Sequence, residues 1–114
     1  MAKTVTIMGT KYRIEYKTAA QDSILGTDAD AYCDWTERRI VLRDPKDAGG
    51  NLGNMDVYWK NTLRHEIVHA FLYECGLAEN ANGTDAWPKN EEMVDWIAFT
   101  GPKIYAAWAE AGAL

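Results

Sequence analysis

The twenty residues from Asp56 to Cys75 contain neither Gly nor Pro, and they carry both histidines of the chain. Leu63, Ile67, Ala70 and Phe71 recur at i, i+4, i+7 and i+8, an apolar stripe fit to face a core. Asp56 reads as the N-cap, and Gly76 as the left-handed residue that closes the segment. The stretch is therefore expected to form one amphipathic helix. Within it, His65-Glu66-Ile67-Val68-His69 spells H-E-x-x-H, at the border of the stripe. Positions i and i+4 stack on one helix face, so the two imidazoles can bind one metal ion. The adjacent Glu66 can then reach a water at that ion and act as general base.

A catalytic zinc takes three protein ligands and keeps one position open. No third His exists, so the remaining ligand is expected to be a downstream carboxylate in Asn90-Glu91-Glu92-Met93-Val94-Asp95. This run follows Pro88, a helix opener, and leads into Trp96-Ile97-Ala98-Phe99. Val94, Ile97 and Ala98 stand three, six and seven residues after Glu91, which places Glu91 on their inward face. Glu92, the alternative ligand, is rotated by about 100° toward solvent. Asp95, one turn after Glu91, is placed to accept a hydrogen bond from the free ring nitrogen of a ligating His. The competing reading of Glu91 and Asp95 is two solvated acids at a helix start, where the macrodipole favours them. The expected set is thus His65, His69 and Glu91 on one Zn2+ per chain, with Glu66 catalytic and Asp95 behind the ligands. Mn, Co or Ni can occupy the same donors.

The pairing of these two motifs resembles the gluzincin metallopeptidases, whose third ligand lies in an N-E-x-x-x-D pattern on a second helix. The step of 22 positions from His69 to Glu91 is similar to the short gluzincin spacing. The run Glu91-x-x-Val94-x-x-Ile97-Ala98 resembles the ImmA/IrrE-type metallopeptidases of phages and mobile elements, and the chain is similar in size to the minigluzincins. The two motifs together cover about 45 residues. The resemblance implies a small twisted sheet packed on the metal helix and the Glu-bearing helix, with an edge strand that aligns a peptide. It also implies a phage or bacterial source. One departure stands out. Larger gluzincins steady the oxyanion with a further downstream His or Tyr. Here only Tyr105 lies downstream and Tyr73 lies on the metal helix, neither in a matching motif.

The rest of the chain is consistent with one small α+β domain spanning residues 1–114. Thr4–Met8 and Tyr12–Tyr16 read as a hairpin around a Gly9-Thr10 turn, and residues 31–35 with Arg39–Arg43 as a second. Asp44-Pro45 is expected to end that hairpin. Asp47–Asn54 and Glu79–Trp87 read as loops, and Ala19–Thr27 as loop or helical turn. Gly101-Pro102 is expected to break the last helix, with a separate C-terminal helix over Lys103–Ala113.

No export signal is expected from Met1-Ala2-Lys3, which leads straight into strand-like sequence, no long apolar run is present, and Cys33 and Cys75 form no close-spaced pair. These features suggest reduced thiols, a cytoplasmic location and no membrane partner. The net charge of −5 argues against a nucleic-acid partner. Five tryptophans, namely Trp35, Trp59, Trp87, Trp96 and Trp108, are expected mostly to fill the core, with Trp87 considered for a substrate-pocket rim. The leading functional expectation is a zinc endopeptidase acting on a peptide or protein, such as a regulator. The alternatives are a metal-binding regulatory protein without proteolysis, and a structural domain whose motif is coincidental. Nothing in the sequence specifies the oligomeric state.

Overall fold

Lys11 and Arg13 are exposed while Tyr12 and Ile14 are buried, the period-two alternation of a half-buried strand. The computed structural model describes residues 3–83 and 86–114. Strands β1 (Lys3–Ile7) and β2 (Thr10–Lys17) form the first hairpin. Its turn is Met8-Gly9, with φ of 49° and 86°, the handedness that matches strand twist. Thr10, expected in the turn, instead pairs with Ile7 as the first residue of β2.

Strands β3 (Ala31–Asp34) and β4 (Arg39–Arg43) form the second hairpin. The hairpins join through a parallel pairing of β2 with β4, with Ile14 opposite Ile40 and Tyr16 opposite Leu42. The result is a mixed four-stranded sheet in the order β1-β2-β4-β3, so β3 is an edge. Ile40, Val41 and Leu42 are all fully buried, and β4 is therefore covered on both faces.

Asp44-Pro45 ends β4 but also opens a helix, α1 (Pro45–Ala48), which takes up the start of the segment expected as loop. The Asp44 carboxylate accepts from the Lys46 amide at 2.9 Å, and Pro45 sits where a missing N–H costs nothing. Of the loop expected over Glu79–Trp87, Thr84 and Asp85 lie outside the described residues.

Helix α2 (Met55–Glu74) starts two residues earlier than a cap at Asp56 implies. Its cap is Asn54, not Asp56: the Asn54 side chain reaches the Val57 amide at 3.2 Å. Asp56 lies in the first turn and pairs with Lys60 at 3.0 Å. Gly76, with φ of +85°, turns the chain out of the helix. Trp59 and Ala70 of α2 share one buried cluster with Ile7, Tyr12, Ile14, Ala31, Ile40 and Leu42 of the sheet, and Leu63 and Ile67 pack against it. Phe71, assigned to the same stripe, is exposed instead.

A 3-10 turn (Trp87–Lys89) precedes α3 (Glu91–Glu110). Helix α3 is continuous through Gly101-Pro102, so the expected break and the separate C-terminal helix are both absent from the described residues. A proline inside a helix removes one hydrogen bond and costs about 3 kcal/mol. Here Pro102 deprives the Ala98 carbonyl of its donor, and Arg64 Nε of α2 supplies a replacement at 2.7 Å. A hydrogen bond from a charged donor contributes about 1.5–3 kcal/mol, enough to offset much of that cost. Leu72, Ala78 and Val94 form a second buried cluster between the helices, flanked by Val68 and Met93.

The tryptophans do not mostly fill the core. Trp59 alone is buried, Trp35 stacks half-buried on Tyr73, and Trp87, Trp96 and Trp108 are exposed. Helix α3 packs one stripe on α2, and Trp96 and Trp108 lie off it. None of the described helices is long and apolar enough to cross a membrane.

Candidate metal centre

His65 and His69 stand one turn apart on α2, with ring centroids 4.9 Å apart. Helix α3 begins across from them because Asn90 caps it, its side chain accepting from the Met93 amide at 2.8 Å. That cap makes Glu91 the first helical residue and aims it at the histidines. Its Oε1 lies 2.9 Å from His65 Nε2 and 2.8 Å from His69 Nε2. One donor atom from each of the three residues falls within 4.8 Å of the others, so the group can hold a metal ion. Glu92, the alternative, is exposed and is not part of the group.

The donor chemistry fits a cation. A neutral imidazole has one N–H. His65 faces a carboxylate at both nitrogens: Asp95 Oδ1 at 3.4 Å from Nδ1 and Glu91 at Nε2. A neutral ring can donate to only one of them, leaving a lone pair against an oxygen at the other. A proton or a metal ion at Nε2 removes the conflict and leaves Nδ1–H to donate to Asp95. Ligands of a tetrahedral zinc, each about 2.0–2.2 Å from it, stand roughly 3.3–3.5 Å apart. The two His–Glu91 separations of 2.8–2.9 Å are hydrogen-bond spacings that need to open by about half an ångström to reach it, and the two imidazole donors lie within 4.8 Å of each other.

Burial splits the two acids of the site. Glu66 is the buried charged residue of the described chain, only 7% exposed. Desolvation pushes its carboxyl up to about 7, with His65 opposing and Glu91 adding to the rise. Burial also works upward on Glu91, but the hydrogen bonds and charges of His69 and His65 outweigh it and hold the carboxyl below its ordinary value. Desolvation lowers His69, against the pull of Glu91. A neutral imidazole beside an ionised carboxylate is the protonation state that metal binding needs.

These groups line a cleft of about 610 Å³ between α2, the start of α3 and the edge strand. Ala31, Tyr32 and Cys33 of β3 form the wall facing the histidines, with Tyr58 and Tyr73 of α2 at the ends. Tyr58 donates to Asp30 at 2.6 Å, and Tyr32 donates to Asp22 at 2.5 Å. Burial pushes the Cys33 thiol up to about 12, with Glu66, Asp34 and Glu74 contributing, which marks it as a quiescent wall residue. Both cysteines are free.

His65, Glu66, His69, Glu91 and Asp95 are thus brought together, while Trp87 is exposed outside the cleft lining. Tyr105 is also exposed and outside it. Sequence reasoning missed the wall. Tyr73 is read from the sequence only as lying on the metal helix, although its place four residues after His69 puts it on the same face and so in the cleft. Tyr32 and Cys33 carry no such signal, because no local pattern says which strand will be the edge. No protein-family model, curated protein or solved structure matches the chain.

Proposed function

We propose that the protein is a zinc-dependent metallopeptidase, of the kind that its two motifs resemble. The observation that carries this reading is the convergence of His65, His69 and Glu91 beside a buried Glu66 whose carboxyl is raised to about 7. His65 and His69, with Glu91, would hold the ion, and Asp95 would fix the tautomer of His65. Zinc bound there supplies a Lewis acid that activates water and polarises a peptide carbonyl.

The chain's own groups account for the remainder. Glu66, poised near neutrality, takes a proton from the attacking water at its carboxylate and returns it to the leaving amine. Strand β3 offers a free edge along the cleft, and an extended peptide can add to it by main-chain hydrogen bonds. The substrate class is therefore an extended segment of a peptide or protein, laid along the edge strand beside the histidines.

A second reading, a metal-binding protein without proteolysis, is favoured by one observation. The hydroxyls of Tyr32 and Tyr58 are already committed to Asp22 and Asp30. Among the described cleft phenols this leaves Tyr73 to steady an oxyanion.

Elemental analysis of the purified protein tests the site. We expect about one zinc per chain in the wild type and in Glu92→Ala, and none in Glu91→Ala. Wild-type protein that takes up no zinc even when it is supplied refutes both readings. Digestion of a peptide library by the zinc-loaded wild type but not by Glu66→Gln separates the first reading from the second.

A further inference from the structure

Helices α2 and α3 meet along an antiparallel series of polar contacts. His69 meets Glu91, His65 meets Glu91 and Asp95, and Arg64 meets the backbone at Ala98. Glu91, Asp95, Ala98 and Pro102 fall on one face of α3, at steps of four, three and four residues. The first contacts are those of the metal site. The last is of a different kind, because it joins a side chain to a carbonyl in the middle of a helix.

That carbonyl is normally occupied. In an α-helix the oxygen of residue 98 accepts from the amide of residue 102. Residue 102 is Pro and has no amide hydrogen. The Ala98 oxygen is thereby released, and Arg64 Nε donates to it at 2.7 Å. Arg64 Nη2 is held in turn by Asn61 Oδ1 at 3.4 Å, one turn back on α2. Ala98 and Val94 are buried at this seam, where little water competes for the carbonyl.

We propose that Arg64 is a positioning residue for the metal site. Through the carbonyl that Pro102 frees, it sets the depth and rotation at which α3 presents Glu91 and Asp95 to His65 and His69. The proposal rests on the reading that this trio holds a metal. Its physical basis is helix geometry. A slip of one residue shifts α3 by about 1.5 Å and turns it by about 100°, which takes the Glu91 oxygen away from both imidazoles. Glu91 is itself 71% exposed at the side chain, so packing around it cannot set its place. The clamp at Ala98, two turns down the same face, can. Arg64 is also the immediate neighbour of His65, so one backbone step couples the clamp to a ligand.

The test is a double-variant cycle on the full chain, read by Co2+ titration (visible absorption) and by thermal unfolding without metal. Arg64→Ala is expected to weaken Co2+ binding about tenfold, the scale of losing a partner that orients a ligand, and Arg64→Lys to recover part of it. Pro102→Ala restores an amide donor to Ala98. It should raise the unfolding temperature of the metal-free chain while lowering Co2+ affinity several-fold. Opposite signs in one variant are not what a merely stabilising contact gives. In the Pro102→Ala background, adding Arg64→Ala should cost little more.

Wild-type Co2+ affinity in Arg64→Ala, or losses from the two variants that multiply in full, overturns the proposal while leaving the metal site standing. If Arg64→Ala does not fold, Arg64→Lys and Pro102→Ala decide, and wild-type affinity in both overturns it. A wild type that binds no Co2+ instead defeats the metal reading, and the proposal with it.

Discussion

Replacing Glu66 with Gln should make the metal-free protein more stable at pH 8, although it removes the proposed general base. The effect is one of linkage between folding and proton binding. The Glu66 carboxyl rises from 4.5 to about 7 on folding because it is buried. Between these values the folded state keeps the proton that the unfolded state has lost. Stability then falls as pH rises, because the folded state binds more protons. The loss begins near the unfolded value, and is complete once pH exceeds the folded value. A tenfold change in proton affinity is worth about 1.4 kcal/mol, so the rise corresponds to about 3 kcal/mol of destabilisation at pH 8.

Gln does not titrate. The difference in unfolding free energy between Glu66→Gln and wild type should be small at pH 4 and should grow to about 3 kcal/mol at pH 8. Titrating groups remote from Glu66 are common to both proteins and cancel, and the coupling of Glu66 to His65 and Glu91 ranks below the burial effect. The measurement is urea unfolding of chelator-treated protein at half-unit pH steps across that range. A difference that stays flat with pH, or that turns against Gln as pH rises, refutes the claim that burial of an ionised Glu66 strains the fold.

Two further outcomes follow from neighbouring contacts. Asp95→Asn should weaken zinc binding about tenfold, because an amide presenting its NH2 group to His65 Nδ1 no longer favours the ring tautomer that the ligand role needs; an unchanged dissociation constant by competition titration would remove Asp95 from the site. Tyr12→Phe should cost about 1–2 kcal/mol at neutral pH, since Tyr12 donates at 2.7 Å to Glu74 and, with Arg38, holds that carboxyl below its ordinary value. A depressed carboxyl stabilises the fold above its unfolded value and loses that contribution as pH falls through the folded one. The gap between wild type and Tyr12→Phe should therefore close on acidification, and a gap that widens toward pH 3 would contradict the assignment.

The α+β class, the four strands, the metal-bearing helix and the start of the Glu-bearing helix were legible because each rests on a local period. So were the pairs of His65 with His69 and of Glu91 with Asp95, which need only i+4 spacing on one helix each; their meeting across the two helices was expected from the chemistry of a three-ligand site rather than from any local period. What stayed hidden depends on contacts between distant residues. Pro102 reads as a helix end when only its own ring and missing amide are considered. It sits inside α3 because Arg64, 38 positions earlier, caps the carbonyl it frees. The same holds for the tryptophans. Their size suggests core, but Trp96 and Trp108 lie off the stripe of α3 that meets α2, and only the packing of the two helices reveals it. Asn54 and Asp56 are both good caps by type, and the choice between them turned on which side chain reaches an amide.

Glu66 and Glu91 carry the same functional group within one cleft, yet their environments push them in opposite directions. Glu66 is sealed against the core side of α2, where no positive side chain compensates its charge beyond His65, and it is raised. Glu91 projects from the first turn of α3 toward solvent, receives both imidazoles, and is lowered. A metal ligand must stay ionised across the working range, whereas a general base must gain and lose a proton near neutrality. On the proposed reading, exchanging the two would fail on both counts: a raised ligand would release the ion as it protonated, and a lowered base could not accept the proton from water. The separation follows from position and partners together: Glu66 lies on a helix face where desolvation dominates, and Glu91 lies at a helix start where both imidazoles outweigh its burial. Where two acids of one site are held apart in this way, burial and partners support the proposed division of labour before any substrate is known.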